Sequence, residues 1–281
     1  MTDIRPAFFW LYEAAFGLQL PALALFLSYA FKPKRSLALA ATAFLAASLL
    51  AHLVFTALLA LNAGRLPLTN GFEAVSAWGL ALTALVVEVE WRHRLGLLGA
   101  FLAPLSAATL LMGFRFAQSA DQAMQGLGDA WLLTHVALAM LSYALFTAAA
   151  GAAGAYLVQD GQLKSKRMGA LFYELPPLGE LESLLARLAG AGLASLGLAV
   201  ATGFVWRLRL GLPLFSADPK IGFSLGMAAA YALGLAARWR GPMKGRRFAW
   251  LCVLLFVTLF FGVYLVDLYF GGHAFLRPGG A

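Results

Sequence analysis

Residues 131–158 read WLLTHVALAMLSYALFTAAAGAAGAYLV and contain no Asp, Glu, Lys or Arg. A helix of about 20 apolar residues is long enough to cross the hydrocarbon core of a bilayer. Seven similar stretches fill most of the remaining chain, near residues 9–30, 37–61, 72–89, 95–113, 183–206, 221–237 and 248–270. The pattern predicts an all-α protein, a polytopic membrane bundle of eight transmembrane helices, in one transmembrane domain over residues 1–281.

Composition agrees with this class and excludes several others. The chain is 62% hydrophobic and 12% charged, whereas soluble domains are roughly 25% charged. Cys252 is the single cysteine, which excludes an internal disulfide and a thiolate metal cluster. The sequence has no P-loop, HExxH or GxSxG motif, so hydrolase or nucleotide chemistry has no basis in it.

The basic residues predict how the helices are oriented. If the eight spans alternate, 14 of the 21 Lys and Arg residues lie on one side. They are Lys32, Lys34, Arg35, Arg92, Arg94, Lys164, Lys166, Arg167, Arg187, Arg238, Arg240, Lys244, Arg246 and Arg247. The positive-inside rule places that side in the cytoplasm and both termini on the outer, periplasmic side. Cations at helix ends are typical of anchors at anionic headgroups, so the net charge of +8 indicates membrane lipid as a partner and not nucleic acid.

This topology brings two of the four histidines, His135 and His273, to the outer side. Imidazole nitrogen is a good axial ligand for haem iron and for other metals. A bis-histidine haem site requires two imidazoles that face each other from separate elements, and two helix ends at one membrane face can supply them. Histidines at membrane boundaries also occur as ordinary interfacial residues, so spacing alone leaves both interpretations open.

Three other positions are candidates for a site. Trp131 precedes His135 by one helical turn and shares its side of the helix, where it would cover a porphyrin or belong to the aromatic belt. His52 lies deep in the second span, where ionisable residues are functional candidates; it is either a further haem ligand or a polar contact between helices. Asp218-Pro219-Lys220 opens the seventh span, and helix capping explains it without any function.

Several of these segments together resemble the cytochrome c assembly protein superfamily, which includes CcsA and the HemX- and YpjD-like proteins. Residues 131–146 resemble the family segment that carries the first external haem histidine. Residues 67–73, PLTNGFE, resemble a family stretch that precedes a transmembrane helix, and 175–182, LPPLGELE, resemble the HemX and YpjD pattern. Residues 271–275, GGHAF, resemble the stretch that carries the second external histidine. The resemblance keeps its order over roughly residues 50–275.

The chain departs from the family pattern in two places. The family has a tryptophan-rich external loop that ends in Trp-Asp-Pro-Lys, and only Ala217-Asp218-Pro219-Lys220 remains here. CcsA also carries a histidine near the end of the following helix, where this chain reads Leu235-Ala-Ala-Arg238. The resemblance therefore implies the external histidine pair but not a complete transmembrane path for haem.

The resemblance implies a haem-binding protein of the bacterial inner membrane that handles haem b for c-type cytochrome assembly. His135 and His273 would be the axial ligands, Trp131 and Phe275 would pack on the porphyrin, and Asp218 with Lys220 would orient it or its propionates. Arg207 or Arg209 would pair with propionates. Other cytochrome c assembly proteins would be its partners, and we expect a haem-handling or assembly factor rather than a stand-alone catalyst.

Two alternatives stay open. A HemX-like membrane regulator of haem synthesis would act through the cytoplasmic loops 159–182 and 237–247. A small-solute transporter would need paired deep carboxylates or broken helices near the midplane.

Overall fold

The computed structural model describes residues 7–93, 96–117, 129–166, 168–213 and 219–270, and in these ranges the regular structure is entirely helical. Eight of its helices are long and apolar enough to cross a membrane. They are α1 (Trp10–Phe31), α2 (Arg35–Ala63), α3 (Gly71–His93), α4 (Gly96–Ala117), α5 (Ala130–Ser165), α7 (Leu178–Arg209), α8 (Pro219–Arg240) and α9 (Arg246–Phe270), and the short helix α6 (Ala170–Glu174) lies between α5 and α7. The predicted all-α bundle of eight spans is confirmed.

Helix α5 is the centre of the bundle and packs against α3, α4, α7 and α9. Its middle section is rich in small residues, and Ala148, Ala149, Ala152 and Ala153 are all buried. Small side chains let neighbouring helices approach closely where no hydrophobic driving force between helices exists. Hydrogen bonds between helices add to this contact: Trp78 Nε1 donates to Thr147 Oγ1 at 3.1 Å, and Ser195 Oγ donates to the Leu138 carbonyl at 2.8 Å.

The helices α5 and α7 extend beyond the predicted spans at the end of the bundle where the basic residues collect. Helix α5 continues to Ser165 and α7 already begins at Leu178. Ion pairs stabilise these polar extensions: Asp160 Oδ2 contacts Lys164 Nζ at 2.8 Å, and Glu182 Oε1 lies 3.4 Å from Arg238 Nη2. Apolar runs predict the membrane-embedded parts of the helices, but they do not predict polar turns that packing and charge pairs support.

Candidate functional site

His135 lies in the second turn of α5, at the predicted outer end of the bundle. Asp129 begins this helix, because its carboxylate accepts a hydrogen bond from Trp131 N at 2.8 Å and so satisfies one of the free N–H groups at the helix start. The His135 ring is half-buried and its Nδ1 lies 2.7 Å from the carbonyl oxygen of Ala199 on α7. Because a carbonyl can only accept, Nδ1 is the protonated nitrogen and Nε2 keeps its lone pair.

The backbone of α7 provides room for this ring at Gly203. A Cβ atom built on Gly203 would lie 2.7 Å from His135 Nδ1 and 3.0 Å from Cε1, closer than real Cβ contacts allow. Gly203 follows Ala199 by one turn, so both residues face α5. The imidazole is therefore held between a carbonyl and a glycine, and any side chain at position 203 would displace it.

Trp206 is a third residue of α7 on the same face, and it is not among the site residues predicted from the sequence. Its position, seven residues after Ala199, continues the stripe that faces α5. The side chain is only 4% exposed, and its Nε1 has no hydrogen-bond partner among the residues that the structure describes. Buried N–H groups are nearly always paired, so this N–H is a donor that an anionic or carbonyl oxygen could satisfy.

The other predicted site residues at this end lie around the same helix termini. Trp131 is 37% exposed in the first turn of α5, and Lys220 is the second residue of α8, a helix that packs against α7. Arg207 is buried and donates through Nε to the Pro213 carbonyl at 2.9 Å. Asp218, His273 and Phe275 lie outside the described residues.

Helix α9 ends near the level of His135. Trp78 contacts both Tyr143 on α5 and Phe260 on α9, with ring centroids 5.6 and 6.0 Å apart. A helix rises about 1.5 Å per residue. His135 therefore lies about 12 Å from Tyr143 along α5, toward the predicted outer end. Phe270, the last residue of α9, lies about 15 Å from Phe260 in the same direction. His273 lies three residues further along the chain, outside the described residues, so its pairing with His135 stays a prediction.

His52 occupies a different part of the bundle. Its Nε2 lies 2.8 Å from Ser76 Oγ on α3, and its ring contacts the edge of Tyr12 on α1, with centroids 5.3 Å apart. His52 is 1% exposed, and its Nδ1 has no hydrogen-bond partner in the described part of the chain. The structure therefore places His52 in an α1–α2–α3 contact, apart from His135. Among the described residues, no three His, Cys, Asp or Glu side chains form a group that could hold a metal ion.

Glu73 fastens the loop between α2 and α3 at the predicted outer end. Its carboxylate accepts hydrogen bonds from Arg65 Nη1 and Nη2 at 2.9 and 3.0 Å and from Thr69 N at 2.7 Å. Asn70 Oδ1 in turn accepts from Glu73 N at 2.8 Å. The loop and neighbouring helices enclose a cavity of about 260 Å³ that also touches Met140 on α5. Glu73, the last residue of the PLTNGFE stretch, therefore stabilises the conformation of the loop between α2 and α3.

Replacing Glu73 by Ala is expected to lower the free energy of unfolding by about 1–3 kcal/mol, because it leaves the buried Thr69 N–H without its acceptor. Thermal unfolding in detergent measures the change. Glu88→Ala is the matched control, since Glu88 pairs with Arg92 on an exposed surface where both side chains are more than half exposed. An equal effect of the two replacements would contradict the anchoring role.

The fold and this end of the bundle define a class of protein: a polytopic helical membrane protein that presents an oriented imidazole at one end. Residues 66–273 match the family model described as "Cytochrome C assembly protein". This match covers well over half of the chain, and the chain belongs to the cytochrome c assembly protein family.

Relatives with curated names agree with this membership. Protein HemX of Brevibacillus brevis is 29% identical over 178 residues, which are 63% of this chain and 65% of that protein. The cytochrome c biogenesis protein CcsA of Guillardia theta is 28% identical over 221 residues, 71% of this chain and 72% of that protein. CcsA of Synechococcus sp. strain RCC307 is 29% identical over 259 residues, 80% of this chain and 82% of that protein. The match spans less than two thirds of HemX, and no solved structure matches the chain.

Proposed function

We propose that the protein binds haem at the predicted outer face of the bacterial inner membrane and handles it for c-type cytochrome assembly. His135 and His273 are the proposed axial ligands. The single observation that carries this proposal is the hydrogen bond between His135 Nδ1 and the Ala199 carbonyl. Membership of the cytochrome c assembly family supplies the biological context.

The hydrogen bond matters because it fixes both the tautomer and the direction of the imidazole. Histidines that bind metals usually donate their second ring N–H to a carbonyl or a carboxylate, which orients the ring and increases the basicity of the ligating nitrogen. His135 has this arrangement, and its Nε2 makes no hydrogen bond within the part of the chain that the structure describes. Gly203 leaves the room on α7 that this orientation of the ring requires.

Haem b is a flat apolar macrocycle with two propionates, and we assign residues of the predicted outer end to each of these parts. Trp131 and Phe275 are proposed to pack on the ring. Trp206 Nε1, buried and unpaired, is proposed to donate to a propionate, and Lys220, with Asp218, to orient the propionate edge. When bound, haem would supply an iron centre for redox chemistry, and the chain would supply the imidazole ligands, their orientation and an apolar surface.

A protein that handles haem for cytochrome assembly must receive the haem from a donor and pass it to an acceptor. Other cytochrome c assembly proteins are the proposed partners, because the CcsA relatives are named for cytochrome c biogenesis. The predicted outer end is the proposed contact surface, since the proposed haem ligands belong to it. No catalytic residue is assigned to the chain in this role.

A complementation experiment tests this function against the regulator alternative. A strain that lacks its own copy receives wild type, His135→Ala, or Tyr173→Ala, which changes a side chain that is 74% exposed on α6 in loop 159–182. The proposal expects His135→Ala to lose haem-stained c-type cytochromes while total haem b is unchanged, and Tyr173→Ala to behave as wild type. A fall in total haem that follows Tyr173→Ala and not His135→Ala would contradict the proposal and support a regulator.

A further inference from the structure

A second cavity lies at the opposite, predicted cytoplasmic end, and it is strongly basic. It has a volume of about 510 Å³ and is lined by Lys164 at the end of α5, by the turn between α8 and α9, and by the first residues of α9. Its charged lining residues are Lys164, Lys244, Arg246 and Arg247. We call it the basic cavity.

The positive charge of the basic cavity exceeds its nearby negative charge. Asp160 Oδ2 contacts both Lys164 Nζ at 2.8 Å and Arg246 Nη1 at 3.1 Å, so one carboxylate serves two cations. Arg247 Nη1 donates to the Pro242 carbonyl at 3.2 Å, which neutralises no charge. Lys244 has no ion pair within the described part of the chain. An anion that enters the cavity therefore meets cations whose charge the protein has not compensated.

The turn that carries these cations is held in place from α7. Gly241 and Gly245 have φ angles of 102° and 56°, a region that glycine adopts without strain. Gly245 N donates to Glu182 Oε1 at 3.1 Å, and the same oxygen lies 3.4 Å from Arg238 Nη2. Because both ends of the turn are fixed, Lys244 and Arg247 need little reordering to receive a ligand.

An exposed apolar stripe runs along α9 from the basic cavity toward the middle of the membrane. It begins with Trp250, which lines the cavity and is 47% exposed. The stripe continues at helical spacing with Leu254, Val257, Phe261 and Leu265, all exposed. A molecule with an anionic head and an apolar tail would match the cavity and the stripe together, which a free phosphate ion would not.

We propose that the basic cavity binds the phosphate headgroup of an anionic phospholipid, with an acyl chain along the α9 stripe. Basic pockets between transmembrane helices on the cytoplasmic side are suited to lipid headgroups. The assignment rests on the cavity, the charges and the stripe, and it does not depend on the haem function. The bound lipid would fasten α5, α8 and α9 to each other at this end.

Native mass spectrometry of the full-length protein in detergent tests the proposal. Phosphatidylglycerol and phosphatidylcholine with identical acyl chains compete for wild type, for Lys244→Gln/Arg247→Gln, and for the control Lys32→Gln/Lys34→Gln. The control changes two exposed lysines at the same end of the bundle that do not line the basic cavity. Separate samples contain excess inorganic phosphate or glycerol 3-phosphate.

We expect wild type and the control to retain phosphatidylglycerol in preference to phosphatidylcholine. The Lys244→Gln/Arg247→Gln variant should bind phosphatidylglycerol about 30-fold more weakly, from about one kcal/mol for each cation lost, and should keep its binding of phosphatidylcholine. Three results would overturn the assignment: no headgroup preference in wild type, as expected if an acidic protein segment is the true ligand; an equal loss in the control; or displacement of the lipid by free phosphate. The wild-type competition decides the matter even if the variant fails to fold.

Discussion

His135→Ala is expected to bind haem about 100-fold or more weakly than wild type, since loss of groups that merely orient a metal ligand already costs about 10–100-fold. The substitution removes the imidazole whose Nδ1 is bonded to the Ala199 carbonyl, and alanine is a good helix former, so α5 remains intact. The space vacated beside Gly203 should accept a free imidazole. Added imidazole is therefore expected to restore a low-spin spectrum in His135→Ala.

A haem titration followed at the Soret band measures this effect. His93→Ala is the matched control, because His93 is also a histidine near a helix end but lies at the other end of the bundle, in the last position of α3. We expect the control to bind haem as wild type does. Unchanged affinity in His135→Ala, with no response to imidazole, would remove His135 from the haem site.

Gly203→Ala is expected to weaken haem binding by about 10–100-fold, the range found for disturbed supporting contacts of a metal ligand, although it removes no ligand atom. The new methyl group would come within 2.7 Å of His135 Nδ1, so the ring must rotate and lose its bond to Ala199. A matched control is Gly197→Ala on the same helix, where a Cβ atom meets nothing within 4 Å.

The two glycine variants are compared by haem affinity and by thermal unfolding of the haem-free protein. Both substitutions replace glycine by alanine in a helix, which by itself favours folding slightly. The account expects a haem defect for Gly203→Ala only. Equal haem affinity of the two variants would show that the contact between α7 and the imidazole does not orient a ligand.

The eight spans were predictable because each apolar run is close to or above the length that the hydrocarbon core requires, and the sequence contains few charges to interrupt the runs. The polar extensions at the ends of α5 and α7 were not predictable from the apolar runs. Asp160 and Glu182 in these extensions form ion pairs with Arg246 and Arg238, which belong to other helices. Such pairs depend on how helices pack. The side of the membrane on which the termini lie remains a prediction from the basic residues.

The site was predictable only in part. His135 was visible from the family-like segment and its position at a span boundary. Its contacts with Ala199 and Gly203, and the place of Trp206 on the same face of α7, were not predictable, since nothing in a single sequence gives the register of α5 against α7. Their spacing by four and then three residues would have indicated a common helix face, but many apolar residues of α7 share such spacings.

The basic residues near the start of α9 show a second limit of prediction from a single sequence. The sequence explained them as topology anchors, which is the usual role of cations at helix ends. The structure brings three of them, Lys244, Arg246 and Arg247, together with Lys164 around one cavity. Lys164 comes from a helix end far away in the sequence, so the cluster exists only in the folded bundle.

The central claim is that two axial imidazoles, from His135 and His273, bind haem at one end of the bundle. The most direct measurement is the optical and electron paramagnetic resonance spectrum of the purified wild-type protein after haem is added. The account predicts stoichiometric haem with the low-spin ferric signal of two axial imidazoles, which becomes high-spin or disappears in either His135→Ala or His273→Ala. A wild-type protein that takes up no haem, or whose low-spin signal persists in both variants, would contradict the claim.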